Sequence, residues 1–171
     1  MAFELCHLAF FRMDKKFLVD FMLGKLAKWL RRLGYDVLYK SITNRADLER
    51  YLKQDYIFLT RRSDWLKNKK LPKKMVYFVQ ANETQNQIRE IIKHFKLRLD
   101  EKQMFSRCSF CNTILIEKTR EEAIPYVPEY IGKTHNRFKF CPTCSRFYWP
   151  GTHRERMETW LKSCFTEDHR P

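Results

Sequence analysis

Two spacings of apolar residues alternate along the first hundred positions. A short run, Phe17-Leu18-Val19, is stopped by Asp20, and a second, Asp36 to Tyr39, follows Gly34; short apolar runs between breakers are strand signals. Between them the apolar residues recur at helical spacing. With Lys25 at zero on a wheel of about 100° per residue, Lys28, Trp29 and Arg32 fall within roughly 60° of it. Leu23, Leu26, Ala27, Leu30 and Leu33 take the other side, and Met22 falls at the margin between the two. The segment predicts a helix with an apolar face for a core and a basic face carrying a tryptophan. Gly34, directly after Leu33, signals its end, because glycine adopts the left-handed conformation without a Cβ penalty. Strand, helix and strand in this order make a right-handed βαβ unit with parallel strands. Ligands of such open sheets bind at the carboxyl ends of the strands, where Asp20 falls.

The same alternation continues. Asn44 is placed to cap a helix whose apolar stripe is Leu48, Tyr51 and Leu52, with acidic residues in its first turn. Tyr56 to Thr60 is a continuous apolar run, as expected of a strand buried on both faces, and Lys74 to Val79 is another. Glu83 to Phe95 carries Ile88, Ile91, Ile92 and Phe95 at helical spacing, which reads as core. The pattern predicts an α/β fold with a small parallel sheet over residues 15–103, with room for one more helix between the third and fourth strands. Residues 1–14 read as an arm or short helix. Cys6 and His7 within it read as a buried thiol and a surface imidazole, with no partner ligands nearby.

Charge changes the picture. The 171 residues carry a formal net charge of +14, which favours polyanionic partners through counterion release and steering. The run from Arg61 to Lys74 holds seven basic residues (Arg61, Arg62, Lys67, Lys69, Lys70, Lys73, Lys74) against the single acid Asp64. It follows a strand whose end points to the same edge as Asp20, so it reads either as a solvated loop or as part of a phosphate-binding rim. A membrane role is disfavoured: the only N-terminal apolar run, Ala2 to Phe11, is interrupted by Glu4 and His7 and is too short to span. Without a signal peptide a cytoplasmic setting is expected, a nuclear one remaining open, and there the cysteines indicate metal or free thiols rather than disulfides.

From Met104 the composition shifts. Cys108 and Cys111 form one C-x-x-C, Cys141 and Cys144 another, with twenty-nine residues between the pairs. Each pair aims two thiolates at one point, and two such turns complete a tetrahedral shell for structural Zn²⁺ with no position left for a catalytic water. A redox dithiol is the alternative. The long interval suits a hairpin, with Pro125 and Pro128 in its turn and His135 as a superfluous ligand. The second unit, residues 104–171, therefore reads as a zinc ribbon closed by a helix from about Thr152 to Cys164, with Cys164 outside both pairs. Lys133, Arg137, Lys139, Arg146, Arg154 and Arg156 interleave with Phe138, Phe140, Phe147, Tyr148 and Trp149; rings of this kind stack on bases while cations meet phosphates, or else pack the ribbon against the body.

The stretch FLVDFMLGKLAKWLRRLGYDVLY, the strand ending LTR, RCSFCN and the closing FCPTCSRFYWPGTH together resemble the family of RNase domains named after the C-terminal region of the worm protein Mut-seven, over about Lys16 to Leu161. The resemblance implies a PIN-like domain joined to a zinc ribbon, found alone in prokaryotes or as the last domain of animal 3′-to-5′ exoribonucleases of RNA silencing. PIN-type enzymes gather acids at the strand ends to hold Mg²⁺ or Mn²⁺, which activates water. The resemblance carries Asp20 and Asp47 into that set, but Ala46 stands beside Asp47 where a second acid belongs. Thr60-Arg61-Arg62 replaces a Thr-Arg-Asp triplet, and Asp64 comes two residues later. A guanidinium in a ligand position repels a divalent cation by several kcal/mol at about 4 Å.

Three readings follow. The first is a catalytically degenerate PIN-like module of a silencing exoribonuclease, binding single-stranded RNA and also docking a protein partner, in the cytoplasm or in perinuclear granules; Lys25, Lys28, Arg32, Arg61, Arg62, Lys69 and Lys70 meet phosphates, and Trp29 and Trp65 stack. The second is an active Mg²⁺- or Mn²⁺-dependent ribonuclease using Asp20, Asp47 and Asp64. The third is a protein-docking module whose positive charge is incidental.

Overall fold

A computed structural model describes residues 15–67 and 71–166; the arm expected over 1–14, with Cys6 and His7, and the candidate phosphate ligands Lys69 and Lys70 lie outside the described residues. Four strands, β1 (Lys16–Asp20), β2 (Asp36–Lys40), β3 (Tyr56–Thr60) and β4 (Val76–Phe78), form a fully parallel sheet in the order β2-β1-β3-β4. Helix α1 (Gly24–Arg32) connects β1 to β2, α2 (Arg45–Leu52) connects β2 to β3, and α3 (Thr84–Phe95) follows β4. Among the described residues of the basic segment there is no helix of full turns between β3 and β4, only turns and a single 3₁₀ turn at Lys73–Met75.

The local signals act as their chemistry dictates. The Asn44 side chain accepts the Asp47 N–H at 2.8 Å and caps α2. At the end of α1, Tyr35 N–H donates to Leu30 O and Gly34 N–H to Arg31 O, a Schellman closure with Gly34 at φ 98°. The constraint at Gly34 is also one of space, since a Cβ there would lie 2.6 Å from the Gln103 carbonyl oxygen.

Period-two alternation divides β1 between two layers. Phe17 and Val19 face α1 and α3, in a cluster with Leu26, Leu30, Leu59, Ile88 and Ile91. Leu18 faces α2, with Leu48, Phe58 and Trp65. Two residues on from Leu18 and on the same face, Asp20 is buried at the strand's carboxyl end.

After α3 the chain builds an antiparallel sheet, β5 (Ile116–Thr119), β6 (Arg137–Cys141) and β7 (Arg146–Tyr148), in that order. The connection from β5 to β6 is more than the expected turn: it holds the single-turn α4 (Arg120–Ala123), a 3₁₀ turn containing Pro125, and α5 (Glu129–Thr134), preceded by Pro128 as its cap. The last helix, α6 (Thr152–Thr166), returns to the helical layer over the first sheet, packing on α3 and setting Trp160 on Trp29 of α1, and Leu161 and Cys164, along with Met104, join the cluster of Phe17 and Val19. The apolar core of residues 15–103 is thus completed from beyond Gln103.

The ribbon also meets the sheet edge. β2 is an edge strand, and both outward groups of Val37 are taken: its N–H donates to Asn112 Oδ1 at 3.0 Å and its carbonyl accepts from Arg31 Nε at 2.9 Å. Arg31, buried in the second half of α1, donates further to the carbonyls of Ser109 and Phe110, at 3.1 and 2.6 Å. Asn112 Nδ2 donates to Asp36 Oδ1 at 2.7 Å.

The Asn112→Gly variant keeps the left-handed backbone at this position (φ 75°) but deletes the amide that serves Val37 and Asp36. Leaving the buried Val37 N–H and the half-buried Asp36 carboxylate unserved should cost about 1–3 kcal/mol. The urea unfolding midpoint should fall at constant slope; an unaltered midpoint would show that the edge bond contributes nothing.

Candidate metal centre and nucleic-acid interface

The four cysteines of the two C-x-x-C pairs converge. Their sulfurs lie within 4.8 Å of one another, with Cys108–Cys144 at 3.5 Å, Cys111–Cys141 at 3.3 Å and Cys111–Cys144 at 4.0 Å. A tetrahedron of thiolates about 2.3 Å from a zinc ion has S–S edges of about 3.8 Å, so these separations fit such an ion. Both knuckles use the same turn. Asn112 N–H donates to Cys108 O at 3.0 Å and Ser145 N–H to Cys141 O at 2.9 Å, and Asn112 and Ser145 are both left-handed, at φ 75° and 53°. Each turn folds the pair back on itself so that both thiols point inward.

Neighbouring groups tune the sulfurs. Burial pushes the Cys108 thiol up, but hydrogen bonds from Tyr148, whose Oη lies 3.1 Å away, and from the backbone at Cys111 and Phe110 bring it below its ordinary value. Burial is likewise outweighed at Cys111, where the Thr113 side chain and backbone favour the thiolate and bring it to about 6. Cys141 is pushed up to about 12, chiefly by burial. His135 instead sits 2.8 Å from Thr134 Oγ1. Among the described residues this is the only group of three or more metal-binding side chains, and it could hold a metal ion such as zinc.

At the rim of the parallel sheet the three acids are not brought together. Asp20 is fully buried: one carboxylate oxygen accepts the Phe21 N–H and the other the Thr60 hydroxyl, both at 2.8 Å. The Thr60 hydroxyl in turn accepts the Arg62 N–H at 3.0 Å. Asp47 pairs with Arg50 on its own helix at 2.8 Å. Asp64 is exposed and pairs with Arg62 at 2.7 Å, a hydrogen bond that holds its carboxyl below the usual carboxylate range. Arg62 reaches across the rim, donating also to the Ile42 carbonyl at 3.0 Å just beyond β2. Among the described residues these three carboxylates form no cluster of metal-binding side chains.

The candidate RNA ligands divide. Lys25 and Lys28 are exposed on α1, with Lys28 Nζ 4.9 Å from the Phe110 ring. Arg32 is half-buried over Trp29 at 4.4 Å, and Trp29 is itself packed on Trp160 of α6 at 4.4 Å. Arg61 is engaged by Ala81 O and Asn82 Oδ1, and Arg62 as described. Trp65 is buried, edge-on to Phe58; the expectation that it stacks on a base is corrected, because its run of polar neighbours hid an inward anchor for the loop.

Reasoning from sequence missed a groove of about 590 Å³ between the ribbon sheet, the Trp149-Pro150-Gly151 link and the start of α6. Its signal was already visible in the mixed basic and aromatic residues of the ribbon. What the sequence alone could not show is that β6 presents Arg137 and Lys139 to one face, with Lys139 level with Tyr148 of β7 and Glu117 of β5, and that Arg154 and Arg32 line the same groove.

Among known proteins, the family model described as the Mut7-C RNAse domain matches residues 15–161. No curated protein matches the chain. Among the described residues, no helix is long and apolar enough to cross a membrane.

The cysteine cluster makes a direct prediction. Purified protein should carry one zinc ion per chain by elemental analysis, and Cys141→Ser should lose it. Removal by a strong chelator should lower thermal stability, because metal binding is folding free energy in small sites of this kind. Thiolates must be deprotonated to bind, so the ion should be released as pH falls, not as it rises. Full stability after verified metal removal would assign the four thiols another role.

Proposed function

The chain belongs to the Mut7-C RNAse domain family, and from that premise we propose that it binds RNA through a cationic surface while the acid site of its parallel sheet no longer cuts. The observation that carries this reading is the placement of Arg62. Its guanidinium spans Ile42 O and Asp64 at the strand ends, so a positive group stands where a metal-dependent nuclease gathers negative ones. The buried carboxylate of Asp20 supports the reading, because both its oxygens serve the fold through Phe21 and Thr60. A net charge of +14 supplies the electrostatic attraction for a phosphate backbone, and Lys25 and Lys28 are exposed to meet it.

Zinc in the four-cysteine cluster would serve structure alone, since all four ligand positions are used by protein. The resemblance extends the proposal to a module of a 3′-to-5′ exoribonuclease in small-RNA silencing, whose catalytic domain is a separate part of the protein and which docks a protein partner in the cytoplasm. In that arrangement this domain holds RNA for a site that it does not itself contain.

The test uses the full chain, labelled single-stranded RNA, and Mg²⁺ or Mn²⁺. Affinity should fall steeply with salt, and Lys25→Gln with Lys28→Gln should lower the slope of log K against log salt by roughly 1.4, about 0.7 for each phosphate left without its lysine. The RNA should remain intact. Metal-dependent cutting that Asp20→Asn abolishes would replace this reading with that of an active ribonuclease, and absence of salt-sensitive binding would leave protein docking.

A further inference from the structure

We infer that the groove between the ribbon sheet and α6 is a single-stranded RNA site that stacks a base on Trp149 and holds the flanking phosphates with Arg137 and Arg154. The inference rests on the RNA-binding reading above and gives it a place. Its volume of about 590 Å³ lies within the range of about 300–1,000 Å³ of sites that take compact ligands.

The first argument is charge. Arg32, Arg107, Arg137, Lys139 and Arg154 line the groove against the single acid Glu117, and among the described residues none of the five cations is in an ion pair. Arg107 is engaged by Gly34 O and Asn112 O, but Arg137 is exposed. Lys139 is partly buried beside Arg154, and burial first, then that neighbouring charge, weakens its hold on its proton. Five crowded cations against one carboxylate are stabilised further by an anion from outside, and a phosphodiester chain supplies one at each residue.

The second argument concerns rings. Several rings here already have ring or cation partners: Phe147 contacts Tyr126 and Phe140, the exposed Phe110 is met by Arg146 and Lys28, and Phe105 by Arg154 at 4.9 Å. The Tyr148 hydroxyl is held at Cys108. Trp149 lines the groove half-buried, and among the described residues no ring or cation stacks on it. An indole face beside unpaired guanidinium groups fits a nucleobase and its phosphates; an acidic peptide would use the charge and not the ring.

The third argument is continuity. Arg32 lines the groove and Lys28 sits over Phe110, another lining residue, so the exposed basic side of α1 leads directly into it. A strand of RNA can therefore run from Lys25 and Lys28 into the groove without leaving positive surface.

The experiment measures binding of a short oligouridylate to the zinc-loaded full chain by fluorescence anisotropy, across a salt series. Trp149→Ala should weaken binding roughly tenfold, the scale of a single base stack, and Trp149→Phe should restore most of it. Arg137→Gln with Arg154→Gln should lower the salt slope by roughly 1.4. An oligoglutamate of equal charge should compete poorly. Zinc content and near-ultraviolet circular dichroism equal to the parent protein establish that each variant is folded. Parent protein that binds RNA while these folded variants bind equally well would overturn the groove and leave the RNA-binding reading intact, with the Lys25 and Lys28 surface as its site. Parent protein without RNA affinity would overturn both. Oligoglutamate binding that depends on Trp149 would make the groove a peptide site instead.

Discussion

The outward edge of β2 is where the two halves of this molecule become one. An edge strand presents unpaired N–H and C=O groups, and these must be served by water or by protein. Here Val37 is served on both sides by groups that also define the first cysteine knuckle, Asn112 from within it and Arg31 from beneath it. Burying a guanidinium is costly unless its donors are used and charge of opposite sign is near. Three carbonyls answer the first need, while Asp36 and the thiols of Cys108 and Cys111 answer the second. Four thiolates carry twice the charge of the divalent ion they hold, so Arg31 would also neutralise part of a filled metal site. The knuckle is therefore held by the sheet, and the sheet edge is closed by the knuckle.

The same balance of charge explains the rim. A fold of this type delivers its strand ends to one edge, and the chemistry there depends on the sign of the side chains delivered. Asp20 stands at the end of β1, but its oxygens are occupied by Thr60 and Phe21, and Arg62 donates its N–H to Thr60 and its guanidinium to the Ile42 carbonyl. These groups form a hydrogen-bonded network linking β1, β3 and the residues after β2. Among the described residues, cations without an acidic partner remain elsewhere, on the exposed side of α1 and along the ribbon, and the proposed RNA surface is placed there.

Much of this is legible in the residues. The four strands and three helices of the parallel sheet follow from apolar spacing, with Gly34 and Asn44 marking ends, and the C-x-x-C pairs announce their own convergence because ligand geometry leaves few alternatives. The arrangement of those parts is harder to read. Arg31 stands in an Arg-Arg pair whose exposed-looking chemistry conceals a buried role; its one signal is that it follows the buried Ala27 by one turn of α1. Trp29 has the sequence signature of a stacking group, but α6 covers it from more than a hundred residues away, and no local pattern encodes such a partner. Asn112 looks like a polar residue after a cysteine, and its work depends on a left-handed turn that composition does not reveal. Periodicity reports which side of an element is buried, whereas the identity of the covering element belongs to tertiary structure.

The return of α6 to α1 and α3 has a consequence for biosynthesis. Leu161 and Cys164 share a cluster with Phe17 and Val19, so the first strand leaves the ribosome long before its last packing partners exist. At roughly 5–20 residues per second that delay is on the order of ten seconds. Throughout it, the part of that cluster that Leu161 and Cys164 cover stays open to chaperones, and a stalled or nicked translation product that ends within the ribbon keeps it open for good.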